Sequence, residues 1–388
     1  RHHSVVSSAK TAVIDAATQA VFDSGNRVGE LAREVAAGEW GQGELIDVKE
    51  PLGWQGGWRR CREALEQARS RGNRAVLFEA PFIAPDFAVI ADIVVCQPDG
   101  EIWLIEVKSS TKLDGKPYLD DATFQADAMA RCGFRPDKVF VRLIDTGFVY
   151  PGGGDYRGLF RDEEVTAAVN ERLPLVDGFV ARSRAVAGGS EPQVRTGEHC
   201  STPYDCPFRT HCDAWQAAID GPPPEYPVDL LARRNVGRVS ALERSQISQR
   251  GWVDVRDLPD GFLADPRTQD IARAIRTGQA WIAPGLRTAL RSLPYPRFHF
   301  DFETINPAVP IWAGTRPYQQ VPFQWSCHVE HADGRLDHHD FLDASGADPR
   351  QECARQLADL MGGLGGCVLV YFQPFEEMRL RELARDLP

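Results

Sequence analysis

The chain has 388 residues, 44 basic and 55 acidic side chains, a formal net charge of −11, 43% hydrophobic and 26% charged residues. That composition excludes disordered and fibrous classes, and the length predicts two or three domains at about 100–200 residues each. No apolar run approaches the roughly 18–20 residues of a membrane span and no signal-peptide layout opens the chain, so the expected location is cytoplasmic, away from membranes. The acid excess argues against coating by nucleic acid through bulk charge, yet leaves room for a local site whose carboxylates hold a divalent cation.

Because the chain opens on Arg1 rather than Met, it is expected to be part of a longer protein. Apolar spacing of three to four residues predicts a helix over about 10–38, with Gly38 as its stop, and another from Trp58 to Arg71. The period then shortens to two. Val76–Ala80, Phe87–Cys96 and Glu101–Ser109 read as strands, the last two joined by the turn Pro98-Asp99-Gly100. A helix around Ala122–Cys132 and a strand at Lys138–Ile144 follow, then a helix from about Asp162 to Val186 interrupted near Leu173-Pro174. The proline-rich stretch Gly221–Pro227 predicts a stiff linker. Short helices are expected over 228–293, then strands at Phe298–Phe302, Phe323–Val329 and Leu336–Phe341, a helix at Pro349–Met361, a strand at Cys367–Phe372 and a helix from about Glu376. His331, His338 and His339 fall around the last hairpin and are expected to be exposed. The expected domains of this α/β chain are 1–220, 221–293 and 294–388.

The hairpin fixes a geometry from sequence alone. A three-residue turn at Pro98–Gly100 pairs Gln97 with Glu101 and, counting back, Asp92 with Glu106, while Lys108 shares the Glu106 face two residues on. Ile105 and Val107 point the other way. Two carboxylates this close repel unless they share a cation. The plainer reading is a cross-strand salt bridge on a solvated face.

Nine cysteines are an odd number for a disulfide framework. Six are scattered, but Cys200, Cys206 and Cys212 fall within thirteen residues, and Pro203 and Pro207 keep that stretch from forming one helix. Thiolates converge in this way around zinc or an iron–sulfur cluster; the alternative is three unrelated core thiols. A fourth ligand would come from Cys61, His199, His211 or upstream of Arg1.

Asp92 in Ala91-Asp92-Ile93, the run Glu106-Val107-Lys108, Gln125 on the following helix, and the three clustered cysteines together resemble the PD-(D/E)XK nucleases, in particular the RecB-like branch with a C-terminal cysteine cluster that includes CRISPR-associated members. The likeness spans roughly residues 10–215. It implies a restriction-endonuclease-like core in which Asp92 and Glu106 bind Mg²⁺ or Mn²⁺, Lys108 orients or activates the attacking water, and Gln125 supports the site. It also implies a 4Fe–4S cluster on Cys200, Cys206 and Cys212. Many relatives carry a histidine ligand on the first helix; here Gly25–Glu30 has none, and Glu30 and Glu79 are the candidates to replace it.

Further on, Phe298–Thr304 puts Asp301 and Glu303 on one strand face, and Glu376 follows the last strand. The plain alternative is a polar strand end. This region resembles the DnaQ-like (DEDD) exonucleases of the RNase H-like superfamily, which implies a second cation site at Asp301, Glu303 and Glu376. The pairing looks like a bacterial family of fused nucleases whose second domain continues further, so a partial RNase H-like domain is expected here. Between the two regions, Leu231–Arg250 holds five arginines against one acid. Arg233, Arg234 and Arg238 are the candidates for phosphate contact in a helical connector weakly similar to a helix-hairpin-helix; a solvated basic linker is the alternative. The expected activity is metal-dependent hydrolysis of phosphodiester bonds, as a DNA exonuclease acting on single-stranded or end-bearing substrate. The competing expectation is a non-catalytic nucleic-acid-binding or assembly module with a structural zinc at the cysteines.

Overall fold

The computed structural model describes residues 16–48, 53–113, 116–202, 205–232, 236–363 and 365–386. These group into two compact units, one of 16–192 with 295–386 and the other of 193–294. The expected boundary at 220/221 therefore falls inside the second unit, and the cysteine loop groups with the helical segment. The chain is mixed α/β with two mixed sheets.

In the first unit, α1 (Ala16–Trp40) leads through β1 (Glu44–Leu45) to α2 (Gly53–Arg71). The strands β2 (Ala75–Ile83), β3 (Ala88–Cys96) and β4 (Ile102–Val107) follow, then α3 (Lys116–Arg131), β5 (Lys138–Ile144) and β6 (Phe160–Glu164). The sheet runs in chain order from β1 to β6. β4 and β5 are parallel, so a crossover must join them, and α3 is that crossover. Alternation decides the two faces. Ile93, Val95 and Ile105 pack under Ala32 and Ala36 of α1. Val94, Leu104 and Ile102 pack against Leu65 of α2 and Ala122 and Ala126 of α3.

Four expectations are corrected here. The first helix passes both Gly25 and Gly38 to end at Trp40. The long helix expected from Asp162 does not start there. Phe160–Glu164 is an edge strand whose Asp162 takes two 2.8 Å hydrogen bonds from the buried Arg142 on β5, and helices occupy only α4 (Thr166–Arg172) and α5 (Val176–Gly188). A polar Arg-Asp-Glu-Glu run shows no alternation, and the ion pair that holds it comes from 20 residues back. The strand expected at Cys367–Phe372 shortens to Cys367–Leu369. The linker Gly221–Pro227 is knitted into the second unit, where Pro227 bridges Asp254 and Tyr226 accepts from the Val255 N–H at 2.8 Å.

The second unit comprises α6 (Arg209–Asp220), α7 (Ala241–Arg250), α8 (Pro266–Thr277) and α9 (Leu286–Ser292), with short 3₁₀ turns between them. Leu231, Ile247, Val255, Leu258 and Ala272 form its core. Ser240 and Glu243 cap α7 reciprocally. Glu243 also accepts from the Ala264 N–H at 2.7 Å, so the one acid of the basic stretch is spent on structure.

The second sheet of the first unit holds β7 (Arg297–Ile305), β8 (Val321–Glu330), β9 (Leu336–Leu342) and β10 (Cys367–Leu369), ordered β10-β7-β8-β9. Helices α10 (Arg350–Met361) and α11 (Gln373–Asp386) cover its apolar face of Phe298, Phe300, Phe302 and Trp325. The 306–320 connection between β7 and β8 packs on the first sheet, with Ala308 among Val28, Leu31, Ile144 and Leu159. His338 and His339 are exposed as expected, but His331 is half-buried and 2.9 Å from Asp337.

Candidate active site

The observed β3–β4 ladder has the register that the turn dictates, with Cys96 opposite Ile102 and Ile93 opposite Ile105. It stops one pair short of Asp92 and Glu106. There the Asp92 carboxylate takes over, accepting the Val107 N–H at 2.8 Å. The β2–β3 ladder is interrupted at the same level, between the pairs Phe78–Ile93 and Ala80–Ala91, where Glu79 and Asp92 face each other. Glu79, Asp92 and Glu106 thus form one row across three adjacent strands, which lie about 4.7–4.9 Å apart. Glu79 holds a positive φ of 52°, and its carboxylate pairs with Arg33 of α1 at 2.8 Å.

Strand and helix periodicities then bring four side chains together. Glu106 and Lys108 share a face of β4 because they are two apart; Asp121 and Gln125 share a face of α3 because they are four apart. Lys108 Nζ lies 2.7 Å from Glu106 Oε1 and 2.6 Å from Asp121 Oδ2. Gln125 Nε2 donates to Glu106 Oε2 at 2.5 Å. Glu106 and Gln125 are buried, and Gln125 Oε1 has no hydrogen-bond partner among the described residues.

Burial first, and the neighbouring Glu106 second, push the Asp92 carboxyl well above the ordinary aspartate range. Burial works against the Lys108 charge, but Glu106 and Asp121 outweigh it and leave its pKa above the ordinary lysine value. A cleft of about 720 Å³ opens onto Asp92 and Lys108, walled by Gly29, Glu30, Arg33 and Glu79. Glu30, the other candidate on the first helix, lines this wall and pairs with Arg27 at 3.1 Å.

At the second sheet, Asp301 and Glu303 lie exposed on β7 and Glu376 lies buried on α11. Glu376 hydrogen-bonds Asp301, and burial followed by the Asp301 charge raises its pKa to about 7. Glu376 Oε2 is buried without a partner among the described residues. Glu303 stands two residues along the same face, and no described hydrogen bond or ion pair ties it to the pair.

Residues 298–388 match the family described as a domain of unknown function, DUF2779. No curated protein and no solved structure matches the chain significantly. The DUF2779 match contains Asp301, Glu303 and Glu376 and the whole 306–320 connection, whereas the Glu79–Asp92–Glu106 row lies outside it.

The cysteine loop is compact. The Cys206 N–H donates to the Cys200 carbonyl at 2.7 Å, Cys212 sits in the first turn of α6, and the His199 ring Nε2 lies 3.6 Å from Cys200 Sγ. Cys61 lies in the apolar core of the first unit, where burial pushes its thiol up to about 12, as expected of a packing cysteine. Of the candidate phosphate-binding arginines, Arg233 and Arg234 lie outside the described residues, and Arg238 is exposed in the second unit. Sequence reasoning missed Asp121, Arg33 and Tyr318, whose hydroxyl lies 3.1 Å from Ser109 Oγ beside Lys108. Asp121 had one available signal, its one-turn spacing from Gln125.

Proposed function

We propose that the chain is a Mg²⁺- or Mn²⁺-dependent phosphodiesterase, a nuclease of RecB-like type acting on single-stranded or end-bearing DNA. The observation that carries this reading is the row Glu79–Asp92–Glu106, with Lys108 and Gln125 fixed on its last member. Like-charged carboxylates are held together against their repulsion, which adds to the burial that raises the Asp92 pKa. Oxygen donors of this kind suit a hard divalent cation, so the residues fit Mg²⁺ or Mn²⁺ on Asp92 and Glu106, with Glu79 in reach of the same row.

Bound there, the cation supplies charge stabilisation on the phosphate oxygens. The chain's own groups do the rest. Gln125 and Lys108 each hold one oxygen of Glu106, which fixes the carboxylate plane. The Lys108 ammonium, steadied by Asp121, is a hydrogen-bond donor at the cleft floor, suited to orient a water or a phosphate oxygen rather than to abstract a proton. Asp301 and Glu376, already sharing a hydrogen bond, are proposed as a second cation site with Glu303, in a partial RNase H-like domain.

Cys200, Cys206 and Cys212 are proposed to hold a 4Fe–4S cluster, with zinc as the alternative and His199, beside Cys200 Sγ, as a candidate for a fourth position. A brown preparation absorbing near 400 nm would support the cluster; a colourless, zinc-containing one would refute it. The exposed Arg238, with Arg233 and Arg234, is proposed to contact phosphates.

The test of the activity is hydrolysis of an end-labelled single strand with Mg²⁺ or Mn²⁺, with and without EDTA. Metal-dependent cleavage that Glu106→Ala abolishes is the expected result. Cleavage indifferent to EDTA, or equal in Glu106→Ala, would overturn the reading.

A further inference from the structure

Two residues other than glycine hold a positive φ among the described residues, Glu79 at 52° and Tyr318 at 58°. Such strain persists only where surroundings enforce it, and it gathers at binding and catalytic sites. One lines the cleft and the other touches a residue that does. Glu79 forms part of its wall, as does Ser109, the residue after Lys108, whose Oγ lies 3.1 Å from the Tyr318 hydroxyl.

Tyr318 arrives from the far end of the sequence, on the 306–320 connection, and that connection is fastened along its length. Tyr156 donates to the Pro310 carbonyl, Gly314 to the Tyr150 carbonyl, Tyr150 N–H to Thr315, and Arg316 to the Gly147 carbonyl. A second phenol stands at the same rim. Tyr118 of α3 has Lys108 Nζ 5.5 Å from its ring centre, and burial, with a smaller contribution from Tyr118, raises the pKa of Tyr318. Both rings are half-buried, each leaving part of itself to solvent.

The cleft itself is poorly equipped to attract a polyanion. Glu30, Asp47, Glu79 and Asp92 line it, and its two cations, Arg33 and Lys108, are already held by carboxylates. The cleft's own side chains therefore supply little attraction by charge, and stacking of bases on aromatic rings adds affinity that is independent of both charge and sequence. An intact duplex keeps its base faces inside the stack and offers none to such rings.

We propose that Tyr118 and Tyr318 form an aromatic rim that stacks an unpaired base while the adjoining phosphate enters the Asp92–Lys108 cleft, so that single-stranded or frayed DNA is taken in preference to intact duplex. The proposal rests on the nuclease reading of the cleft and assigns the 306–320 connection a direct part in substrate selection.

The experiment uses the full chain, wild type against Tyr318→Ala, Tyr318→Phe and Tyr118→Ala. It compares KM and kcat on a labelled single strand, a blunt duplex, and a single strand carrying one abasic position scanned along its length, with thermal midpoints as a check on folding. Loss of one stacked base predicts a KM rise of about tenfold on the single strand for either alanine variant. Tyr318→Phe, which keeps the ring, should stay near wild type, kcat should change little, and one abasic position should bring wild type to the Tyr318→Ala value. Equal losses on single strand and duplex, an unchanged KM in both alanine variants, or a Tyr318→Phe defect as large as Tyr318→Ala would overturn the proposal. If wild type cleaves nothing with Mg²⁺ or Mn²⁺, the nuclease reading fails separately. Fluorescence anisotropy of the same strands then decides the stacking: a preference for the single strand lost in Tyr318→Ala supports it, and indifference refutes it.

Discussion

At the first sheet, both oxygens of Glu106 are occupied, one by Lys108 and one by Gln125. At the second, Glu376 shares a hydrogen bond with Asp301 and leaves Oε2 buried and unpartnered among the described residues. Both sites hold carboxyls together and raise a pKa, but by different means. The first surrounds its acids with a preorganised cation and amide inside a cleft; the second sets a buried acid, Glu376, beside an exposed one, Asp301, on an open sheet face. A site with a fixed donor beside its carboxylates is equipped for chemistry at once, whereas a bare acid pair needs a cation to be stable above neutral pH.

Lys108→Ala tests the first half of that contrast with the largest expected effect. Removing the fixed donor should lower metal-dependent cleavage by about 10²–10³-fold, as loss of one preorganised electrostatic donor does. Single-turnover rates with Mg²⁺ check this, and a rate within a few-fold of wild type would break the contrast. Gln125→Leu comes next. It frees one Glu106 oxygen without touching the row of acids, so metal affinity or activity should fall about 10–100-fold, the range for removing a group that orients a ligand. Isothermal titration with Mn²⁺ reads it directly.

The smallest effect concerns the second site in the absence of metal. Glu376 is ordinarily a 4.5 acid and is raised to about 7 in the fold. The folded chain therefore binds more protons than the unfolded one between these values, and stability falls as pH rises through them. Glu376→Gln should flatten that slope and raise the thermal midpoint of the EDTA-treated protein at pH 8, while added Mg²⁺ should stabilise wild type more than the variant. A wild-type midpoint that climbs from pH 5 to pH 8 by the same amount as in Glu376→Gln would contradict the raised Glu376 pKa.

Much of the first site was legible because short-range rules set it. The Pro98–Gly100 turn fixed the β3–β4 register, and a two-residue period put Glu106 and Lys108 on one face. Gln125 was found by resemblance, and the β4–α3–β5 crossover explains physically why it lands on Glu106. Glu79 was a candidate without a place, since only the β2–β3 pairing sets it opposite Asp92. Asp121 was hidden because Asp120 and Asp121 are adjacent, and the sequence does not say which of two neighbouring acids faces the sheet. Tyr318 was beyond reach altogether, 209 residues from its partner Ser109. The edge strand at Phe160–Glu164 was misread because its stability comes from Arg142 and not from its own pattern.

Under the proposed function, hydrolysis belongs to the Glu79–Asp92–Glu106 row. The most direct measurement is metal-dependent cleavage of one labelled single strand by wild type, Asp92→Ala and Asp301→Ala side by side, each shown to be folded by its thermal midpoint. Asp92→Ala is expected to abolish cleavage while Asp301→Ala retains it. Cleavage that survives Asp92→Ala and disappears in Asp301→Ala would contradict that assignment.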